Sequence, residues 1–273
     1  MSVRGKLALG LIGAAAVGGL FLAERMRPLR RQTRAPAPRV ARNVAMGALC
    51  QAMIAAYETP LTDAIAQRNQ RKSRGLQGGI PGIAGALAGF LAMDYGFYLW
   101  HVATHKVPFL WRFHRVHHVD ADMDMSTAIR FHFIDMLASL PWRMMQVRVS
   151  GVSPRELAIW RAFFFGSILF HHSNLRLPNG LDRRLATFLT TPRMHGIHHS
   201  QRRSEMDSNW SSGIAIWDHL HGTFRDTPPQ TAICIGVDDA EAEQDIALNA
   251  ALEAPFRTQP ARQSGSSGVY SHQ

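Results

Sequence analysis

The chain has 273 residues, a formal charge of +10 and 46% apolar residues, enough for one large domain or two small ones and too apolar for a disordered polar chain. Its mean hydropathy is nevertheless only −0.10, because long apolar runs alternate with basic stretches, as in membrane proteins. Cys50 and Cys234 are the only cysteines, which excludes a disulfide framework and a thiolate metal site and leaves histidine and carboxylate as the available ligands.

In chain order, Leu7 to Ala23 is free of charge and preceded by Arg4 and Lys6. Its length and small residues suit either a transmembrane helix or a signal-peptide core. Glu24-Arg25-Met26-Arg27 follows at once, which makes a cleavage site hard to place, so a retained helix is expected. Arg25, Arg27, Arg30, Arg31, Arg34, Arg39 and Arg42 then crowd a proline-containing segment. Beside an apolar run this charge reads as a topology signal and headgroup contact, a linker on the cytoplasmic membrane surface, and not as a nucleic-acid footprint.

Val44 to Ile65 is a second, interrupted apolar segment, and Gln67 to Gly79 is a basic polar loop. Ile80 to Trp100 is the clearest hydrophobic run of the middle region and delivers the chain to His101. Counting two crossings from a cytoplasmic basic linker returns His101 to the cytoplasm. The same count puts Arg68 to Arg74 outside, against the simple charge rule.

His101 to His118 reads HVATHKVPFLWRFHRVHH, with five histidines in eighteen residues. On a helix His101 and His105 are i and i+4 and share a face, as do His114, His117 and His118 at i, i+3 and i+4. Pro108 lies between them and lets the chain turn back. A lone histidine beside an apolar helix is usually a satisfied core residue, but five at these spacings point to metal.

Phe133 to Val149 and Leu157 to Phe170 are short apolar segments joined at Ser150-Gly151-Val152-Ser153-Pro154, and they carry Arg143, Arg148 and Arg161. A hairpin dipping into the bilayer, or helices packed against others, fits them better than isolated lipid-exposed spans. His195-Gly196-Ile197-His198-His199 repeats the H-x-x-H-H spacing of His114 to His118. Eight imidazoles exceed what one ion can hold with an open position, so a dinuclear centre is expected. After Asp238 the composition turns acidic and then rich in Gln, Ser and Gly, a tail expected to be disordered.

H-x3-H, H-x2-HH and H-x2-HH in succession resemble the fatty acid hydroxylase and sterol desaturase superfamily of membrane-bound di-iron enzymes. The likeness runs from about Asn43 to Gly236 and is nearest to the bacterial sterol-desaturase-like branch. It includes Asp94 ahead of His101, the segment Leu110 to His118, Thr127 to His132, Phe170-His171-His172-Ser173-Asn174, Thr191 to His195, and Asp207 through Trp217-Asp218 to Gly222-Thr223. The chain departs from the pattern at Val102, at Phe133 and Asp135 after His132, and at His219 and His221.

The resemblance implies an all-α integral membrane helical bundle with a cytoplasmic histidine-rich metal-binding cap. Residues 1–42 would be an N-terminal helix and basic linker, 43–236 the catalytic domain and 237–273 the tail. It adds His132 and His172 to the eight, giving His101, His105, His114, His117, His118, His132, His172, His195, His198 and His199 as ligands of two irons. His171 is read as structural, His219 and His221 as surface or supporting residues, and His272 as without a role. Asp94, Asp207 and Asp218 are candidates to orient ring N–H groups.

The implied activity is oxygen-dependent hydroxylation or desaturation of a lipid C–H bond, at the bacterial inner membrane and with O2 as co-substrate. The sequence has no G-x-G-x-x-G after a strand, no C-x-x-C-H and no cysteine cluster, so electrons are expected from a ferredoxin or a cytochrome b5-like partner. A zinc-dependent hydrolase built from the same imidazoles and a non-catalytic metal-binding membrane protein are the competing readings.

Overall fold

Proline and glycine punctuate the apolar runs, and between them the chain is helical. The computed structural model describes residues 3–237 and 247–257. The first helix, α1 (Val3–Met26), contains the charge-free run. After a short extended strap come α2 (Pro36–Met53), a π-helical turn at Ile54–Glu58, and α3 (Thr59–Lys72).

The basic segment is not a simple surface linker. Arg25, Arg27, Arg31 and Arg34 are exposed, but Pro36 starts α2 early and places Arg39 and Arg42 one turn apart on one face. Both are buried there. Arg39 pairs with Asp120 at 2.8 Å and with Asp124, and Arg42 pairs with Asp120 at 3.3 Å. Helix α2 therefore runs across the boundary expected between residues 42 and 43.

A short α4 (Gly75–Gly79) leads to α5 (Gly82–Lys106), which spans 25 residues. This helix is long and apolar enough to cross a membrane by length and composition. Val107 breaks it in an extended conformation, and Pro108 opens α6 (Pro108–His118). Asp124 caps a 3-10 turn at Met125–Ile129, and α7 (Phe133–Ser150) follows.

Gly151, at φ 74, ends α7 in the left-handed region that favours glycine. Ser153 then caps α8 (Pro154–His172), accepting from Arg155 N at 3.3 Å, with Pro154 in the first turn. Of the two arrangements expected, helices packed against others is the one seen, α7 and α8 each resting on α3 and α5. Ala66, Met93, Val147, Val152, Leu157 and Trp160 join α3, α5, α7 and α8 in one buried cluster. Apolar side chains face outward as well: Leu11, Ile12 and Leu22 on α1 and Ile83 and Leu87 on α5 are exposed.

The second half is built of short helices: α9 (Asn179–Leu185), α10 (Pro192–His198), α11 (Arg203–Met206) and α12 (Ile216–His221). Among the described residues the only β features are isolated bridges, one of them between Pro28 and Leu175. Within the segment expected to lack order, α13 (Leu248–Glu253) forms. Its residue Ala251, together with Ala254 just past its end, is buried against Met46 and Val116, because three-residue spacing gives even this short piece one apolar face. Residues 238–246 and 258–273, His272 included, lie outside the described residues.

Candidate metal centre

His101 and His105 end α5, one turn apart on its inner face. The break at Val107 and Pro108 folds α6 back so that its histidines meet them. On α6, His114, His117 and His118 share the inner face that i, i+3 and i+4 positions present, and within it His114 and His118 turn toward the histidines of α5 while His117 turns toward His172. The ligand atoms of His101, His105, His114 and His118 all lie within 4.8 Å of one another, and those of His117, His172, His195 and His199 form a second such group.

Helix α10 divides its histidines in the same way. Thr191 caps it, accepting from Met194 N at 3.4 Å, and Pro192 occupies its first turn. His195 and His199 join the second group, while the ring of His198 lies 4.6 Å from His101 and 4.8 Å from His105. The rings of His118 and His199 stack at 4.2 Å and connect the groups. Each H-x-x-H-H sequence therefore serves both.

Hydrogen bonds fix the tautomers of four rings. Nδ1 of His101 donates to Trp210 O (2.7 Å), of His117 to Arg130 O (3.1 Å), of His172 to Ile168 O (2.7 Å) and of His198 to Ser208 O (2.9 Å). In each case Nε2 is left as a lone pair directed inward. Nε2 of His172 lies 3.0 Å from Nε2 of His117 and 3.0 Å from Nε2 of His195, and Nε2 of His199 lies 3.2 Å from that of His195. The lone pairs of His117 and His172 therefore face and repel each other, and a cation between them removes the repulsion.

Both ring nitrogens of His105, His114 and His118 are buried without hydrogen-bond partners. Native interiors rarely tolerate this for free polar groups. Burial pushes the imidazolium form of His195, His118 and His199 well out of the ordinary range, and His198 is lowered to about 3. The rings are thus neutral at physiological pH, the form that binds metal. Orphaned nitrogens, inward lone pairs and an all-imidazole donor set fit a pair of transition-metal ions.

His132 stands in neither group. Its Nδ1 accepts from Ile134 N at 3.2 Å, capping α7, and its Nε2 donates to Leu252 O at 3.1 Å. His171 is not turned away as expected; it is buried, with its ring 4.1 Å from that of His195. His219 and His221 are exposed and bond to Ala186 O (3.1 Å) and Tyr95 Oη (3.1 Å).

The carboxylates expected to hold ring N–H groups hold backbone amides, an indole and a lysine instead. Asp218 accepts from Trp210 N (2.8 Å) and Ser211 N (2.9 Å), and so sets the carbonyl of Trp210 against His101. Asp94 accepts from Ile214 N (3.1 Å) and from the Trp217 indole (2.7 Å), and Asp207 pairs with Lys106 at 2.6 Å. The carboxylate nearest a ring is Asp135, 3.5 Å from Nδ1 of His114. In sequence it shows only as one of the departures from the family pattern after His132.

A clasp from the N-terminal strap closes one side. Asn174, two residues after His172, donates its amide nitrogen to Glu24 Oε2 (2.9 Å) and its side chain to Arg30 O (2.8 Å). Its own Oδ1 and O accept from Arg30 N (2.9 Å) and Leu29 N (2.7 Å). Nη1 of Arg30 bonds Gln230 and reaches Pro192 O at 3.3 Å, passing so close to Gly196 that a Cβ there would collide with it. A cavity of about 450 Å³ opens onto His101, His114, His117, His172 and His195. Aromatic and aliphatic side chains including Phe97, Trp100, Phe131, Trp160 and Phe164 line it.

Residues 86–223 match the fatty acid hydroxylase family model. The ornithine lipid hydroxylase OlsE of Rhizobium tropici is 31% identical over 169 residues, 62% of this chain and 49% of that protein. Human alkylglycerol monooxygenase is 30% identical over 135 residues (50% of this chain, 29% of that protein), and human cholesterol 25-hydroxylase is 30% identical over 139 residues (50% and 49%). The chain spans about half the length, or less, of these relatives. No solved structure matches it.

Proposed function

The chain belongs to the fatty acid hydroxylase family, within the histidine-box superfamily that includes sterol desaturases, and from that premise we propose that it is an oxygen-dependent, di-iron hydroxylase or desaturase of a lipid C–H bond. One observation carries this reading. Two buried histidine groups share the turns of α6 and α10 and open directly onto an apolar cavity. When bound, a pair of irons would supply oxidation of an unactivated C–H bond with O2 and two electrons.

The protein's own residues do the rest. His101, His105, His114, His118 and His198 would hold one ion, and His117, His172, His195 and His199 the other. Carbonyls of Trp210, Arg130, Ile168 and Ser208 orient the rings. The cavity walls exclude water and admit an apolar chain. We assign α1 and α5 as membrane spans, with the metal groups at the cytoplasmic end of α5 in a bacterial inner membrane. Exposed apolar side chains on both helices and the exposed arginines after α1 support that orientation. Electrons would come from a ferredoxin or cytochrome b5-like donor. Motif likeness supports the sterol-desaturase-like branch, and the ornithine lipid and alkylglycerol relatives extend the substrate range to glycerol- and amino-acid-based lipids.

The test has two arms. Protein purified without oxygen is analysed for metal and then assayed for oxygen consumption with a reductant. Lipids and sterols of host cells with and without the intact chain are compared for a gain of one oxygen or a loss of two hydrogens. Iron at two per chain and a shifted lipid are expected. Stoichiometric zinc with no oxygen-dependent product would sink the proposal and favour hydrolysis.

A further inference from the structure

The cavity holds a charge that the metal centre does not use. Arg143 lines it from α7, and its position is set from both sides: Trp142 Nε1 donates to Gly96 O at 2.9 Å, and Gln146 Nε2 donates to Met93 O. The guanidinium lies over the rings of Phe97 (4.7 Å) and Phe164 (5.8 Å). Its Nε and Nη1 are buried with no hydrogen-bond partner. The neighbouring Arg161 is different, with Nη1 on Asp63 at 2.7 Å and Nη2 on Thr62 Oγ1 at 2.6 Å.

Glu58 and Asp135 line the same cavity, yet neither forms a hydrogen bond or ion pair with Arg143 among the described contacts. A buried guanidinium with unmet donors is costly unless something completes it. Its planar fork matches a two-oxygen acceptor. The ring of Phe97, which Arg143 covers, is 6.1 Å from that of His101, so the unmet donors sit one aromatic ring away from the metal ligands.

We propose that Arg143 is the binding residue for an oxyanion, carboxylate or phosphate, at the polar end of an otherwise apolar substrate. This rests on the cavity being the substrate site of the oxidation proposed above. The substrate class is then an acidic amphiphile, and Arg143 selects it over a neutral lipid of the same chain length. Aromatic faces on the guanidinium's flanks hold the cation without competing for its in-plane donors.

The experiment uses the metal-loaded full chain in a non-ionic detergent and follows the fluorescence of Trp100 and Trp160, which line the cavity. Dodecanoate, dodecyl phosphate and dodecanol are titrated separately. At least one acid is expected to bind about tenfold or more tighter than the alcohol, as a charge-assisted hydrogen bond provides. Preference for dodecanoate identifies a free fatty acid, and preference for dodecyl phosphate identifies a phospholipid headgroup. Arg143→Met should abolish the preference while leaving dodecanol binding and metal content unchanged, and Arg143→Lys should keep part of it.

Equal binding of all three probes by the unaltered protein overturns the proposal, whether or not any variant folds. So does an acid preference that survives in Arg143→Met. The readout needs no turnover, so the two readings fail separately. Acid binding without any oxidised product would remove the oxidase reading alone, and oxidation without acid preference would remove the role of Arg143 alone.

Discussion

The Nε2 atoms of His117 and His172 lie 3.0 Å apart, and the Nδ1 of each ring is already committed to a main-chain carbonyl. No proton is left to place between them, so only a cation makes the contact favourable. His118→Ala and His199→Ala should each abolish activity and lower bound metal, because the stacked pair connects both groups. Turnover and metal content are the measurements. His272→Ala should change neither, and ordinary turnover in the first two variants would end the di-iron assignment.

His132→Ala makes the opposite prediction. The ring caps α7 and bonds Leu252 O, so its loss should cost about 1 kcal/mol of stability with metal stoichiometry intact. Thermal melting and metal analysis on one preparation separate a cap from a ligand. Loss of an ion would restore His132 to the ligand set implied by resemblance.

Asp135 supports the ring of His114 from 3.5 Å. Asp135→Asn keeps the shape and removes the charge, and should lower metal affinity or activity by about 10- to 100-fold. A chelator-competition titration reads the affinity directly. An unchanged affinity would make Asp135 a cavity residue only.

The metal-free protein should lose stability as the medium is acidified. His118, His195, His198 and His199 are held below the ordinary histidine range by burial. The unfolded chain therefore binds more protons than the folded one at pH values below about 6.5. Stability is full above that value and falls as pH drops towards the folded-state values, about 3 for His198. Denaturation of the metal-free protein between pH 7.5 and 5 would show it, and a flat profile would contradict the buried neutral rings.

Asp120 is buried with Arg39 at 2.8 Å and Arg42 at 3.3 Å, and also accepts from Asn43 at 3.0 Å. Removing one partner from such a buried set costs about 3–5 kcal/mol. Asp120→Ala should therefore lower the melting temperature far more than replacement of the exposed Arg31. Comparable shifts would mean that the network contributes little.

The histidine spacing made most of the metal centre legible in the sequence. Helical periodicity and Pro108 sufficed to show that the rings on α5 and α6 could meet. What spacing could not show was the division of labour, because whether His117 joins His118 or faces His172 depends on where α8 packs. Nor could it show which groups orient the rings, since Trp210 and Ser208 act through main-chain carbonyls that any residue would supply. The basic segment misled for a related reason. Arginines that read as headgroup contacts in composition find aspartates some eighty residues away in sequence at Asp120 and Asp124. The short α13 was hidden in a polar tail because its apolar face rests on two alanines.

The clasp between Arg30 and Asn174 ties α1 to the metal groups. Glu24, Leu29 and Arg30 grip the residues just after His172, and Arg30 continues on to the helix that carries His195. A displacement of α1 is thereby carried to both ends of the second histidine group, through Asn174 to His172 and through Pro192 to His195, as by a ruler.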